Sequence, residues 1–186
     1  MSDRRRLVVA ENMSANGVIE FVEPWFEPDD QDDRELLDVV ADHMSRETGL
    51  ILGRTTFEEF RGFWPKQTDD ETGFTEHLNR VEKYVVSRSL RDPGWEHSTV
   101  LDGRLEDEVR ALKATGDGEI GITGSISVVH TLMATDLIDE FRLFVYPVFT
   151  AKGRRLFPDG LGMQGLTLTE SRSFPSGIAL LVYTRG

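Results

Sequence analysis

Two spacings of hydrophobic residues alternate along the chain and predict strands and helices in turn. Short apolar runs predict strands over residues 6–13, 49–52, 83–87, 99–101, 119–123 and 140–149. Apolar positions at helical spacing predict helices over residues 33–46, 55–63, 76–81, 104–114 and 125–134. The last two segments, 166–173 and 178–184, alternate apolar and polar residues around the turn 174–177, which is typical of a hairpin.

This order of elements predicts the class of fold. Strands that alternate with helices form parallel sheets, and the closing hairpin adds antiparallel strands. We therefore expect an α/β domain with a mixed sheet. The length of 186 residues is typical of one domain, so residues 1–186 are interpreted as a single unit.

Composition excludes several classes of function. Hydrophobic residues make up 39% and charged residues 29% of the chain, and its net charge is −12, which argues against binding to nucleic acid or to an anionic membrane. No apolar stretch reaches the roughly 20 residues of a membrane span. The chain has no cysteine, and its four histidines are scattered, so we expect no metal site. A cytoplasmic location fits these features.

The most informative motif is a strand that meets a glycine and then a helix. The apolar residues 50–52 precede Gly53, and Thr55 and Thr56 begin the predicted helix. The first turn of a helix offers unsatisfied N–H groups and the positive end of the helix dipole, which favour a phosphate. Arg54 adds a fixed positive charge to this turn.

Two further turns have a similar character. Gly124 and Ser125 follow the strand 119–123 and precede a helix, although a serine-capped turn without a ligand has the same pattern. Ser87 and Arg88 follow the strand 83–87, where an arginine can grip a ribose phosphate or simply face solvent. Parallel strands present their carboxyl ends at one edge, so we expect the three turns to lie along that edge.

Taken in order, these motifs resemble the dihydrofolate-reductase-like superfamily. The similarity is greatest to the reductase domain of bacterial riboflavin biosynthesis, the C-terminal part of a bifunctional deaminase-reductase, and to its stand-alone relatives. The resemblance implies a three-layer α/β fold whose central mixed sheet has about eight strands. The matching segments are Met13-Ser14-x-x-Gly17, 52–57, Ser87-Arg88-x-Leu90, 123–125, 137–143, Tyr146-Pro147-Val148 and 153–157.

The resemblance also implies a cofactor, NADPH, and assigns residues to it. The residues implied to meet its phosphates are Gly53, Arg54, Thr55 and Thr56. Ser87 and Arg88 are implied at the adenosine end, near the 2′-phosphate, and Gly124, Ser125 and Ile126 at the pyrophosphate. An acidic helix residue binds the pterin ring in folate reductases, and Asp38 lies one residue from the matching place, as a candidate substrate-binding residue or an ordinary solvated one.

These features predict an NADPH-dependent reductase that transfers hydride to a small heterocyclic substrate. The riboflavin-type ribosylaminopyrimidinone is the first candidate; dihydrofolate, or a non-catalytic NADPH-binding module, is the alternative. Trp25 and Phe26 are candidates for the substrate wall. A substrate with a ribose phosphate needs a basic pocket, for which Lys152, Arg154 and Arg155 are the obvious cluster. We also expect a homodimer formed through the strand 141–149 and the hairpin.

Overall fold

The computed structural model describes residues 4–22, 25, 33–70, 72–162 and 164–185. In this part of the chain, eight strands and five α-helices follow one another in the predicted order. The strands are β1 (Arg6–Ser14), β2 (Glu47–Gly53), β3 (Glu82–Val86), β4 (Ser98–Leu101), β5 (Glu119–Ile122), β6 (Glu140–Tyr146), β7 (Leu166–Ser173) and β8 (Ala179–Arg185). The helices are α1 (Arg34–Arg46), α2 (Arg54–Phe63), α3 (Phe74–Arg80), α4 (Leu105–Lys113) and α5 (Ile126–Met133).

The strands form one mixed sheet in the order β4-β3-β2-β5-β1-β6-β8-β7. From β4 to β6 every neighbouring pair is parallel, so these strands end at the same edge of the sheet. β8 pairs antiparallel with β6 and with β7. The predicted α/β class, with its mixed sheet and C-terminal hairpin, is confirmed.

Helices cover both faces of the sheet and complete three layers. On one face, α4 and α5 pack on the buried side chains of β1, β5 and β6. Leu7 and Val9 of β1, for example, share an apolar cluster with Val129 of α5. On the other face, α1 contacts Phe144 of β6 through Leu36. Beside it, Phe57 of α2 joins a separate apolar cluster with strands β2 and β3. Two-sided burial explains why the central strands are nearly continuously apolar.

The strand predicted over 140–149 ends three residues earlier in the structure and lies inside the sheet. β6 ends at Tyr146, before Pro147, which has no N–H group to extend the ladder. Since β6 pairs with β1 on one side and β8 on the other, its edges are already used. Within the described sheet the open edge on this side is β7, one strand of the hairpin, and the homodimer expected through 141–149 and the hairpin stays a prediction.

A cluster of charged side chains is buried beneath α1. The guanidinium of Arg142 lies 2.8 Å from the Glu119 carboxylate and 2.7 Å from the Glu140 carboxylate. Arg6 also contacts Glu140. Burial acts to raise the pKa of Glu140, but the charges of Arg142 and Arg6 outweigh it and lower that pKa. The charges of this cluster are thus held as opposite pairs.

None of the described helices is long and apolar enough to cross a membrane.

Candidate active site

The first glycine turn joins β2 to α2. Gly53 is the N-cap of α2 in an extended conformation, and no described side chain caps the helix there. The Gly53 N–H instead donates a hydrogen bond to Ser125 Oγ at 2.9 Å. The uncapped first turn of α2 therefore keeps N–H groups and the positive end of its dipole for a ligand.

The second glycine turn joins β5 to α5 and is fixed to the first. Gly124 and Ser125 both have positive φ, at 58° and 49°, which is uncommon for a serine. The Ser125 N–H donates to Thr56 Oγ1 at 3.1 Å. Because the Ser125 hydroxyl accepts from Gly53, it makes no cap for its own helix. These two hydrogen bonds hold the N-termini of α2 and α5 side by side.

Gly124 shows how closely the two turns approach. A Cβ atom at this position would lie 3.1 Å from Thr56 Cγ2, closer than ordinary van der Waals contact. A side chain at Gly124 would therefore separate the turns as well as strain the backbone at its positive φ.

Both turns line one open cleft of about 780 Å³ at the carboxyl edge of the sheet. This volume lies within the usual range of ligand sites. Arg54 is half exposed here, and its Nη1 lies 3.4 Å from Glu58. Aromatic side chains from the surrounding segments form other parts of the wall: Phe21, Trp25, Phe60, Trp64 and Phe74.

A second cavity, of about 240 Å³, lies between α1 and the sheet. Its lining is mainly apolar, with Leu36, Val40 and Phe144 among its residues. Arg142 and His43 bring charge or polarity to it, and burial followed by the charge of Arg142 lowers the pKa of His43 to about 4. Five residues line both spaces, which therefore meet: Glu11, Asn12, Trp64, Phe74 and Thr123.

Glu11 is the buried carboxyl at this junction. It lies on β1 two residues beyond Val9, the last β1 residue that pairs with β5. Its side chain is 4% exposed, and Oε2 accepts a hydrogen bond from the Gly124 N–H at 3.0 Å. Burial raises the pKa of Glu11 well above its ordinary value, and the Gly124 N–H lowers it only in part. Among the described residues, nothing bonds to Oε1.

The structure thus brings together most of the residues assigned to the cofactor. Two sequence segments, far apart in the chain, meet in the cleft. The assigned residues that line it are Gly53, Arg54, Thr55, Thr56, Gly124, Ser125 and Ile126.

Three assigned residues lie elsewhere. Ser87 follows β3 and uses its hydroxyl to accept from Ser89 N and Leu90 N, at 3.2 and 3.0 Å, so it shapes its own turn. Arg88 is exposed; Val86 reaches the cleft, whereas Ser87 and Arg88 do not line it. Asp38 faces outward from α1 because the inward positions of that helix are apolar, and it lines neither space.

The aromatic and basic candidates are only partly brought to the cleft. Trp25 lines it and packs edge-on against Tyr146, whereas Phe26 lies outside the described residues. Arg154 also lines it, but its guanidinium is bonded to Glu20 at 2.6 and 2.9 Å. Lys152 and Arg155 are exposed and line neither space.

Sequence reasoning missed Glu11, although a signal was present. In β1 the residues two apart share a face, so Glu11 continues the row of Leu7 and Val9. Both of those residues are fully buried. An acid in such a row is a buried carboxyl, and buried ionisable groups mark candidate sites.

This arrangement suits an anionic cofactor beside a mainly apolar pocket. The uncapped N-termini of α2 and α5, with Arg54, offer the donors and charge that phosphates require. Thr55, Thr56, Gly124 and Ser125 would hold such a group, and the adjoining cavity offers a place for an apolar ring.

Comparison with known proteins gives a consistent family. A family model described as the RibD C-terminal domain matches residues 25–180. YyaP of Bacillus subtilis, strain 168, described as an uncharacterized protein, is 30% identical over 145 residues, which cover 77% of each chain. YwjB of the same strain, described in the same way, is 28% identical over 132 residues, or 70% of each chain.

Solved structures show the same fold. A putative riboflavin biosynthesis protein from Shewanella sp. PV-4 superposes with a TM-score of 0.73 at 21% identity, over 97% of this chain and 99% of that one. A pyrimidine reductase-like protein from Corynebacterium diphtheriae superposes with a TM-score of 0.70 at 15% identity, over 99% and 93%. At these identities the likeness concerns the fold.

Proposed function

The chain belongs to the RibD C-terminal domain family, and on that premise we propose that it is an NADPH-dependent reductase. In this proposal it transfers hydride to a small heterocyclic substrate, as a reductase of the riboflavin-biosynthesis type does. One observation carries the proposal: two uncapped helix N-termini, linked through Ser125, line the same cleft as Arg54. NADPH supplies the hydride, and the protein binds the nicotinamide ring and the substrate ring and excludes water.

The cations of the site favour a substrate without a phosphate. Arg142 in the second cavity and Arg154 in the cleft are each bonded to an acidic side chain, which leaves Arg54 for the cofactor. The second cavity is mainly apolar. A phosphate-free pyrimidinone or a pterin ring, as in dihydrofolate, therefore fits better there than a ribosylaminopyrimidinone phosphate.

Cofactor titration with arginine variants tests the proposal. We expect saturable NADPH binding by the wild type, and weaker binding by about tenfold or more in Arg54→Ala, because a charge-assisted hydrogen bond is lost. NADH should be affected less if Arg54 contacts the 2′-phosphate. Arg88→Ala, measured in parallel, reports whether that exposed arginine contributes. Arg110→Ala is the control, since it removes the same charge from the exposed surface of α4.

Turnover assays then separate an enzyme from a binding module. NADPH oxidation is followed with dihydrofolate and with the pyrimidinone in its phosphorylated and dephosphorylated forms. Binding without oxidation of NADPH by any of these would favour the non-catalytic module. Failure of the wild type to bind NADPH at low salt would overturn both.

A further inference from the structure

Glu11 has more hydrogen-bonding capacity than its structural role uses. One carboxyl oxygen accepts from Gly124 N–H and so supports the second glycine turn. The other oxygen has no partner among the described residues, although the side chain is 4% exposed. A buried polar atom without a partner costs about 1–3 kcal/mol, so its retention at a site points to chemistry.

The place of Glu11 suits contact with a ligand. It is one of the residues that line both the cofactor cleft and the second cavity. A group at this position faces both spaces. The other four residues at this junction are aromatic or carry a neutral amide or hydroxyl: Asn12, Trp64, Phe74 and Thr123.

The charged neighbours do not offer Glu11 an ion pair. Burial is the main influence on its carboxyl, followed by the Gly124 N–H, and no cation contributes. Arg142 is held by Glu119 and Glu140, and Arg154 by Glu20. The titratable and charged groups that share the two spaces with it are His43, Glu47, Arg142 and Tyr146 on one side, and Glu20, Arg54, Glu59 and Arg154 on the other.

We propose that Glu11 is the acid of this site, a neutral carboxyl that gives its proton from Oε1 to the ring being reduced. This inference rests on the proposed reductase function. The acceptor is a ring nitrogen or carbonyl oxygen adjacent to the carbon that takes the hydride. Burial raises the pKa of Glu11, which favours the protonated form that a general acid requires.

The step balances with NADPH as the reductant. The carbon of a substrate C=N bond takes hydride from NADPH, and the π electron pair moves to the nitrogen. That nitrogen takes the proton from Glu11 Oε1. One C–H and one N–H bond form, the substrate gains two electrons, NADPH becomes NADP⁺, and the Glu11 carboxylate regains a proton from solvent.

Infrared difference spectra test the protonation state without any substrate. We expect the spectrum of wild type minus Glu11→Gln, at pH 7, to contain the C=O band of a protonated carboxyl, which shifts in D₂O. Rising pH should convert it to carboxylate bands. Glu170→Gln, the same change at an exposed position of β7, should lack that band in its difference spectrum. Carboxylate bands for Glu11 at pH 7 would overturn the proposal.

Kinetics with the substrate panel described above test the proton transfer. Glu11→Gln should bind NADPH as the wild type does but lose about 10²-fold or more in kcat, and with it the fall of wild-type kcat at high pH. Glu11→Asp, which keeps a carboxyl with a shorter reach, is the second variant if the amide does not fold. Wild-type kcat in a folded Glu11→Gln variant would overturn the Glu11 proposal alone. No wild-type turnover with any ring, despite NADPH binding, would overturn this proposal together with the reductase function.

Discussion

Two buried acidic sites on neighbouring strands differ in how their charge is held. Glu140 on β6 is paired with Arg142 and Arg6, and these charges lower its pKa in spite of burial. Glu11 on β1 has only the Gly124 N–H, and burial raises its pKa. Opposite charges hold the first carboxylate in the core, whereas burial favours the protonated form of the second, which has an unpartnered oxygen at a cavity junction. The difference separates a structural carboxylate from a chemically available acid.

The largest expected effect comes from breaking the paired site. Arg142→Met leaves Glu119 and Glu140 buried without their shared cation, and removing one partner of a buried pair costs about 3–5 kcal/mol. Urea unfolding measures this loss. Arg110→Met is the control, since its pair with Asp107 is exposed and worth about 0–1 kcal/mol. Equal losses in the two variants would show that the buried cluster carries no special stability.

A smaller effect is expected where the two glycine turns are joined. Ser125→Ala removes the acceptor of the Gly53 N–H, which costs about 1–3 kcal/mol, and should weaken NADPH binding. Ser125→Gly removes the same hydroxyl but tolerates the positive φ, so it should lose less stability while binding NADPH equally weakly. Unfolding and cofactor titration are measured on both. Wild-type NADPH affinity in both variants would contradict a role in binding for the hydrogen bond between Gly53 and Ser125.

The smallest effect is in the pH dependence of stability. The pKa of Glu11 in the folded protein is raised above its ordinary value of 4.5. Between pH 4.5 and that raised pKa, the folded protein therefore holds more protons than the unfolded chain. This contribution to stability is full below pH 4.5 and is lost as pH rises through the folded-state pKa. The free energy of unfolding of Glu11→Gln should therefore fall less over that range, as urea titrations at several pH values would show. Parallel pH profiles for the two proteins would mean that folding leaves the pKa of Glu11 unchanged.

Local sequence patterns predicted the helices, the strands and the glycine turns. The periodicity of apolar residues determines the helices and strands, and the parallel direction of the strands determines where the turns lie. Gly53 and Gly124 were found as strand–helix junctions, and parallel strands placed them at one edge. Contacts between distant segments were not predictable. The bond between Glu11 and Gly124 spans 113 positions and depends on the register of β1 against β5. In the same way, the pairing of β8 with β6 depends on contacts between distant segments.

The assignments that stay predictions depend on side-chain direction. The apolar face of α1 packs inward, so Asp38 faces outward. A motif match that is one residue out of register does not show which way the side chain points. The Ser87 hydroxyl accepts hydrogen bonds from the N–H groups of Ser89 and Leu90 within its own turn. A motif at the end of a strand does not reveal such local bonds.

A crystal structure of the protein with NADPH bound tests most directly whether the two turns form one cofactor site. We expect the cofactor phosphates against the N-termini of α2 and α5, within reach of Arg54, and the nicotinamide beside Glu11 at the junction with the second cavity. A cofactor bound away from Gly53 and Gly124, or a nicotinamide far from Glu11, would contradict this arrangement.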